Sequence, residues 1–335
     1  MTLNQLIYRA TRPLGGLKVA RFLSRNHPKI LMYHRITEDP EGEGIPVEQF
    51  KRQVEIIKKH FNPLTLRELM TAHEEGRVPK HAVCVTFDDG YADFAELAFP
   101  ILKRAGVPAT LFVTTGFVNG DLWLWPDEIR YIVNKTKVKN IKIDGMHEEI
   151  NVQAEKHKAW QVISDYCLSI SNSEKLDFIK RMYRIFDVKR PNNLPNEYKS
   201  ITWDKIKELQ SDGLNVESHS VSHPILTKLD QGGVNAELSN SKAILEKNLG
   251  EDVKIFCYPN GQLSDFNEDI KRWLVKCGYT YGVTAFSSIS PIKDPLEIGR
   301  YPANNSAEEF EKTIFGISYL GLIVRGQFGK SENRA

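Results

Sequence analysis

The chain has 335 residues, enough for one large barrel or two ordinary domains. With 41% hydrophobic and 26% charged residues it belongs with globular proteins able to bury a sizeable core. A net charge of +2 argues against a dedicated nucleic-acid binder. That balance is uneven: residues 1–30 carry Arg9, Arg12, Lys18, Arg21, Arg25 and Lys29 and no acid, a charge of +6 that leaves −4 on the rest. Four widely separated cysteines (Cys84, Cys167, Cys257, Cys277) show no zinc-type spacing and imply no oxidising compartment.

In chain order, Leu3, Leu6, Ile7 and Ala10, then Leu17, Ala20, Phe22 and Leu23, fall at helical spacing among the basic residues. Such a segment suits either an anionic membrane surface, through residues 1–25, or the flank of a domain. Arg9, Arg12 and Pro13 interrupt any secretory apolar run, and the longest greasy patch, Ile314 to Val324, is about half the ~20 residues a spanning helix needs. The expectation is a cytoplasmic protein that touches the inner face of the membrane. Ile30 to His34 reads as a strand, and helices are expected over 47–60 and 66–73. The β-branched run Val83 to Phe87 is a buried strand that stops at Asp88-Asp89-Gly90. A helix over 93–104 and a strand over 109–113 follow. Residues 121–200 break the rhythm. Ile141 and Ile143 alternate up to Asp144-Gly145 and resume at Ile150 and Val152, a hairpin signal, before polar helices at 154–169 and 173–186. Alternation then returns: helix 203–210, strand 214–218, helix 234–248, strand 253–258, helix 266–276, strand 279–284, a strand near 297–301 and a helix from Ser306.

Strand–helix alternation of this length points to a parallel α/β fold, better a barrel than an open sheet. The expected division is a basic amphipathic segment 1–29, a first barrel part 30–120, an insertion subdomain 121–200, a second barrel part 201–315 and a C-terminal tail 316–335. His34, Asp88-Asp89, His219, His223, Tyr258-Pro259-Asn260-Gly261 and Arg300 all fall at C-terminal ends of expected strands, where such barrels gather their sites. Alone, Asp-Asp-Gly is a common turn, and a His-x-x-x-His spacing is a weak metal signal. Two His and one carboxylate nevertheless make a facial site with open positions, as a catalytic Zn²⁺ requires.

Thr86-Phe87-Asp88-Asp89-Gly90 and His219-Ser-Val-Ser-His223 resemble the first and second motifs of the polysaccharide deacetylases, the NodB-homology enzymes of carbohydrate esterase family 4. The resemblance covers roughly residues 30–120 and 200–305. It implies a distorted TIM-like (β/α) barrel of the NodB type, interrupted by a mixed helical and hairpin insertion, and metal-dependent removal of acetyl groups from N-acetylhexosamine residues of a poly- or oligosaccharide, a lipid-linked one included. By the same likeness Asp89, His219 and His223 bind a divalent metal and Asp88 is the general base. Zn²⁺ is the first choice, with Co²⁺, Ni²⁺ and Fe²⁺ as alternatives. A backbone N–H near Tyr258, Asn260 and Gly261 would stabilise the oxyanion. Two departures stand out. Phe256-Cys257-Tyr258-Pro259 lacks the arginine that the family's third motif often carries, so Arg300 is expected to approach Asp88 instead. No His follows His223, so Tyr33-His34 resembles the arrangement of relatives that place the general acid on an N-terminal strand. The expected partner is an N-acetylated glycan and not nucleic acid. Two other readings share these residues: a hydrolase of small amides or imides, and an inactive glycan-binding protein. Sugar, linkage and oligomeric state are not legible.

Overall fold

The computed structural model describes residues 8, 12, 15–40, 42–142, 150–288 and 292–332. Its core is an eight-stranded sheet in which every pairing is parallel. The strands are β1 (Lys29–Tyr33), β2 (Asn62–Leu64), β3 (Ala82–Phe87), β4 (Ala109–Val113), β5 (Asn215–Ser218), β6 (Ile255–Cys257), β7 (Tyr281–Val283) and β8 (Tyr301–Pro302). They lie in the order β7-β6-β5-β4-β3-β1-β8, with β2 beside the first half of β3. The sheet curls until its edges approach: Val283 bridges Ile298 in parallel, and the Thr284 N–H donates to the Ile298 carbonyl. This is the barrel expected from the alternation, distorted as the family resemblance implies.

Parallel strands covered by helices must be apolar on both faces. All six residues of β3 and all five of β4 are buried. Phe87 anchors one side of the interior, stacking on Tyr33 at 5.0 Å and tilting against Phe94 at 4.9 Å. Helices Val47–His60, Phe99–Ala105, Trp203–Ser211, Gln231–Leu249 and Glu268–Lys276 cover the outside.

Four local differences from the sequence reading have physical causes. The helix expected over 93–104 opens as a π-turn, Phe94–Ala98, before the α-helix Phe99–Ala105. Pro100 has no N–H and its ring presses on the carbonyl four residues back, so the backbone widens and the Phe99 N–H reaches Phe94. Strand β2 was not expected, because three residues around Pro63 carry little signal. The strand near 297–301 shrinks to Tyr301–Pro302, where Pro302 cannot donate to a ladder. The tail expected at 316–335 contains a helix, Ile317–Glu332.

The insertion is a unit with a core of its own. Helices α1 (Trp125–Lys135), α2 (Lys156–Ser169) and α3 (Asn172–Ile185) bury Ile129, Ile132, Ile163, Phe178 and Met182 together. The hairpin exists as Asn140–Ile141 paired antiparallel with Ile150–Asn151; Ile143 and the Asp144-Gly145 turn lie outside the described residues.

At the N-terminus the helix Gly16–Leu23 packs one face on the C-terminal helices, with His27 stacked on Tyr319 at 3.8 Å. Arg12 forms two 2.8 Å bonds to Glu311. The other face leaves Val19, Phe22 and Leu23 between 57% and 59% exposed.

Phe87 is fully buried and ringed by aromatics, so Phe87→Ala is expected to cost about 3–5 kcal/mol. Equilibrium denaturation measures this, and a loss below about 1 kcal/mol would contradict the packing described.

Candidate active site

On a continuing strand, Asp88 and Asp89 would point to opposite faces. The backbone turns instead. Asp89 sits at φ 75° and Gly90 at φ 94°, both left-handed. A side chain on Gly90 would also press on Val118, 3.3 Å away. The turn brings both carboxylates into one cleft of about 750 Å³, which is also lined by His34, His219, His223, Asn260 and Arg300. Four of the six non-glycine residues with positive φ among the described residues (Asp89, Ser220, His223, Asn260) lie in these strand-end loops. Backbone strain of this kind persists only where surrounding bonds hold it.

Asp88 is fixed by Arg300. The guanidinium is 1% exposed and donates from Nη1 to Oδ1 at 2.6 Å and from Nη2 to Oδ2 at 2.7 Å. Its other three N–H groups go to Thr86 Oγ1, the Thr284 carbonyl and Cys257 Sγ, at 3.1, 2.8 and 3.0 Å. All five donors of the arginine fork are therefore used. Burial alone would raise the Asp88 carboxyl, but Arg300 overrides it and holds the group below the usual carboxylate range. The arginine missing from the 256–259 stretch is thus supplied in space by Arg300, from the segment just before β8. His34, half exposed at the end of β1, places Nε2 3.8 Å from Asp88 Oδ2.

Asp89 faces the two histidines. Its Oδ1 lies 3.4 Å from His219 Nε2 and 3.5 Å from His223 Nε2, and it has no hydrogen-bond partner although buried. The His219 ring donates Nδ1–H to the Cys257 carbonyl at 2.9 Å, which fixes the tautomer and leaves Nε2 facing Asp89. Burial pushes the His223 imidazole down to about 4, so it is neutral at ordinary pH. Burial would raise the Asp89 carboxyl, but His219 and His223 hold it well below its usual range. Burial would lower His219, and Cys257, Asp89 and Asp88 raise it instead. A cation entering among these three groups would displace the His219 proton. Three converging ligand atoms and an orphaned buried oxygen fit a divalent ion. The neighbouring group Asp88, His219 and Cys257 fits less well, because both Asp88 oxygens are taken by Arg300 and burial raises the Cys257 thiol.

The histidines sit on a loop, not a helical turn. Ser220 and His223 are left-handed, and Glu237 on the helix Gln231–Leu249 accepts from the Val221 and Ser222 N–H groups at 2.8 and 2.9 Å and from Ser222 Oγ. Sequence reasoning missed Glu237, one more acid on a polar helix, and the insertion's share of the cleft wall, Asp127, Arg130 and Trp160. Asp127 is buried, which pushes its carboxyl up to about 7, and it accepts from Tyr91 Oη at 2.6 Å.

Of the three oxyanion candidates, two are occupied. The Tyr258 N–H donates to Val283 and the Gly261 N–H to Pro259. The Tyr258 ring is buried against Phe266 and its hydroxyl bonds the Leu296 carbonyl, so it serves packing. Asn260 lines the cleft, and its backbone N–H is the one of the three without such a bond.

The family profile described as "Polysaccharide deacetylase" matches residues 75–282, which include both Asp88-Asp89 and His219/His223. The chain belongs to the polysaccharide deacetylase family. Among curated relatives, "Putative polysaccharide deacetylase YxkH" of Bacillus subtilis is 22% identical over 257 residues, covering 76% of this chain and 63% of that protein. This polysaccharide deacetylase therefore spans less than two thirds of that relative's length. The "Poly-beta-1,6-N-acetyl-D-glucosamine N-deacetylase" of Staphylococcus epidermidis is 25% identical over 209 residues, 57% of this chain and 71% of the relative. Among solved structures, the Streptococcus pyogenes deacetylase PplD in complex with acetate superposes with a TM-score of 0.57 at 20% identity, covering 84% of this chain and 95% of that one. IcaB from Ammonifex degensii gives 0.56 at 17% identity, covering 86% and 97%. At these identities the superpositions establish the barrel fold that the family shares.

Removing one partner of a buried ion pair leaves the other uncompensated. Arg300→Met is expected to lower stability by about 3–5 kcal/mol, and adding Asp88→Asn should recover part of that loss. Additive losses in denaturant titrations of the two single variants and the double variant would show that the pair is not coupled.

Proposed function

We propose that this polysaccharide deacetylase removes N-acetyl groups from N-acetylhexosamine residues of a poly- or oligosaccharide with the help of a divalent metal. The observation that carries the reading is the division of the two adjacent carboxylates: Asp88 locked and ionised by Arg300, Asp89 turned to His219 and His223. Asp89, His219 and His223 would hold the ion, which when bound polarises the amide carbonyl and the attacking water. Asp88, unable to rotate, takes the proton of that water as its oxygen adds to the carbonyl carbon. The Asn260 N–H stands ready for the developing oxyanion. His34, exposed at the cleft and 3.8 Å from Asp88, returns a proton to the departing amine as the C–N bond breaks, releasing acetate and a free amino sugar. The S. epidermidis relative is named for this kind of reaction, which supports the substrate class.

Acetate release from N-acetylated oligosaccharides should stop on chelation and return with Zn²⁺ or Co²⁺. Asp88→Asn should lower it at least ~10³-fold, and His34→Ala by about 10²–10⁴-fold. Turnover of ureides or cyclic imides in place of acetyl-sugars would overturn the reading in favour of a small-amide hydrolase.

A second proposal concerns location: peripheral docking on the anionic inner face of a membrane through the N-terminal helix, which suits a substrate assembled there, lipid-linked glycans included. Val19, Phe22 and Leu23 are exposed beside Lys18, Arg21 and Arg25, with the Arg25 guanidinium 4.1 Å over the Phe22 ring. Burial and then Arg21, Lys59 and Lys18 push His60 down; burial and then Arg21, Lys29, Arg25 and Lys80 do the same to His81. Cations thus gather around an apolar patch, the composition of an interfacial helix. His60 and His81 lead into β2 and β3, so the patch lies at the strands' N-terminal ends, about 20 Å along β3 from the cleft. No helix among the described residues is long and apolar enough to cross a membrane. Cosedimentation should be strong with vesicles containing phosphatidylserine, weak with phosphatidylcholine alone, and lost in Phe22→Asp. Equal binding to both vesicles, or to neither, would remove this proposal.

A further inference from the structure

The cleft is larger than one acetamido sugar requires, and the insertion lines it together with the catalytic groups. Arg130 on α1 lies flat over the Trp160 ring on α2, its Cζ 3.9 Å from the ring centroid. The indole is itself fixed, because Nε1 donates to the Pro126 carbonyl at 3.0 Å. Arg130 Nη1 pairs with Glu43 Oε1, which rises from the barrel's own loop between Ile36–Thr37 and Ile45–Pro46. Asp127, one turn before Arg130 on α1, lines the same cleft and is held by Tyr91. All of these side chains belong to one cavity with Asp88, Asp89 and His34.

We propose that Arg130 and Glu43, braced by Trp160, form a subsite for the hydroxyl groups of a second, uncharged sugar ring next to the one that is deacetylated. This rests on the glycan reading above and specifies it: the enzyme reads a chain, not a single sugar. The chemistry is that of hydroxyl recognition. A planar guanidinium offers paired donors and a carboxylate offers paired acceptors, and a sugar's neighbouring hydroxyls use both. Because Arg130 and Glu43 neutralise each other, the subsite favours neutral hydroxyls over a phosphate or uronate. The pair is also rigid. Arg130 is stacked, and α1 and α2 share the insertion's buried core, so little side-chain entropy is lost when a ring binds. A carboxylate and a guanidinium joining insertion to barrel could serve as a strut alone. A strut, however, has no need to line the substrate cleft, and Glu43 keeps 39% of its side chain exposed there.

The test compares an N-acetylhexosamine tetrasaccharide with a small acetyl ester such as p-nitrophenyl acetate. Arg130→Met and Glu43→Gln should each raise KM for the tetrasaccharide about tenfold, the loss of one charged hydrogen bond, and leave kcat/KM for the ester unchanged. Glu43→Gln lies outside the insertion and guards against a folding defect there. Unchanged KM for the tetrasaccharide, or equal losses on both substrates, would reduce the pair to a strut and overturn the proposal. Calorimetric titration of the tetrasaccharide into wild type, Arg130→Met and Glu43→Gln separates the two readings. If wild type releases no acetate but binds the tetrasaccharide more tightly than both variants, the subsite stands and the deacetylase reading fails. Equal binding by all three overturns the subsite alone.

Discussion

The site depends on one buried ion pair. Asp88 is almost wholly withdrawn from water, and a lone carboxylate there would take up a proton. Arg300 prevents this with two parallel bonds, but an unsatisfied buried guanidinium would itself be costly. Each remaining donor therefore has an acceptor, drawn from Thr86 on β3, Cys257 on β6 and Thr284 just after β7. Four strands of the barrel are thus arranged around one side chain. The fold sets this pair, and the pair's needs set which polar atoms the strands offer.

Around this fixed point the group Asp89, His219 and His223 is built from strained loops. Left-handed Asp89 turns its carboxylate away from Arg300 and toward the histidines, while left-handed Ser220 and His223 fold the second loop back on itself. Glu237, accepting three hydrogen bonds from that loop, offsets the strain. Adjacent aspartates thus meet opposite environments: an arginine on one side, two imidazoles on the other.

The sequence showed much of this where the signal is local. The β-branched run ending at Asp88-Asp89, the spacing of His219 and His223 and the strand–helix alternation were all legible, because strand ends and buried strands have short-range signatures. Arg300 was harder to read. It lies 212 residues from Asp88, between a glycine and a two-residue strand, and only the closure of the barrel brings it in. The oxyanion stretch was too coarse, since a sequence does not reveal which N–H groups a turn has already used. Two of the insertion's helices were legible, but only as polar helices. Arg130 and Trp160 gain meaning only from the direction in which α1 and α2 dock.

The placement of Arg300 has a further consequence. Residues 281–302 carry the last two strands of the sheet, and they bring its two edges together. Without Arg300 in place, the buried Asp88 would have no counter-charge. The ionised state of Asp88 is therefore coupled to closure of the sheet. The two aspartates and both histidines precede these residues in the chain, so Asp88 acquires its fixed orientation only when the sheet closes.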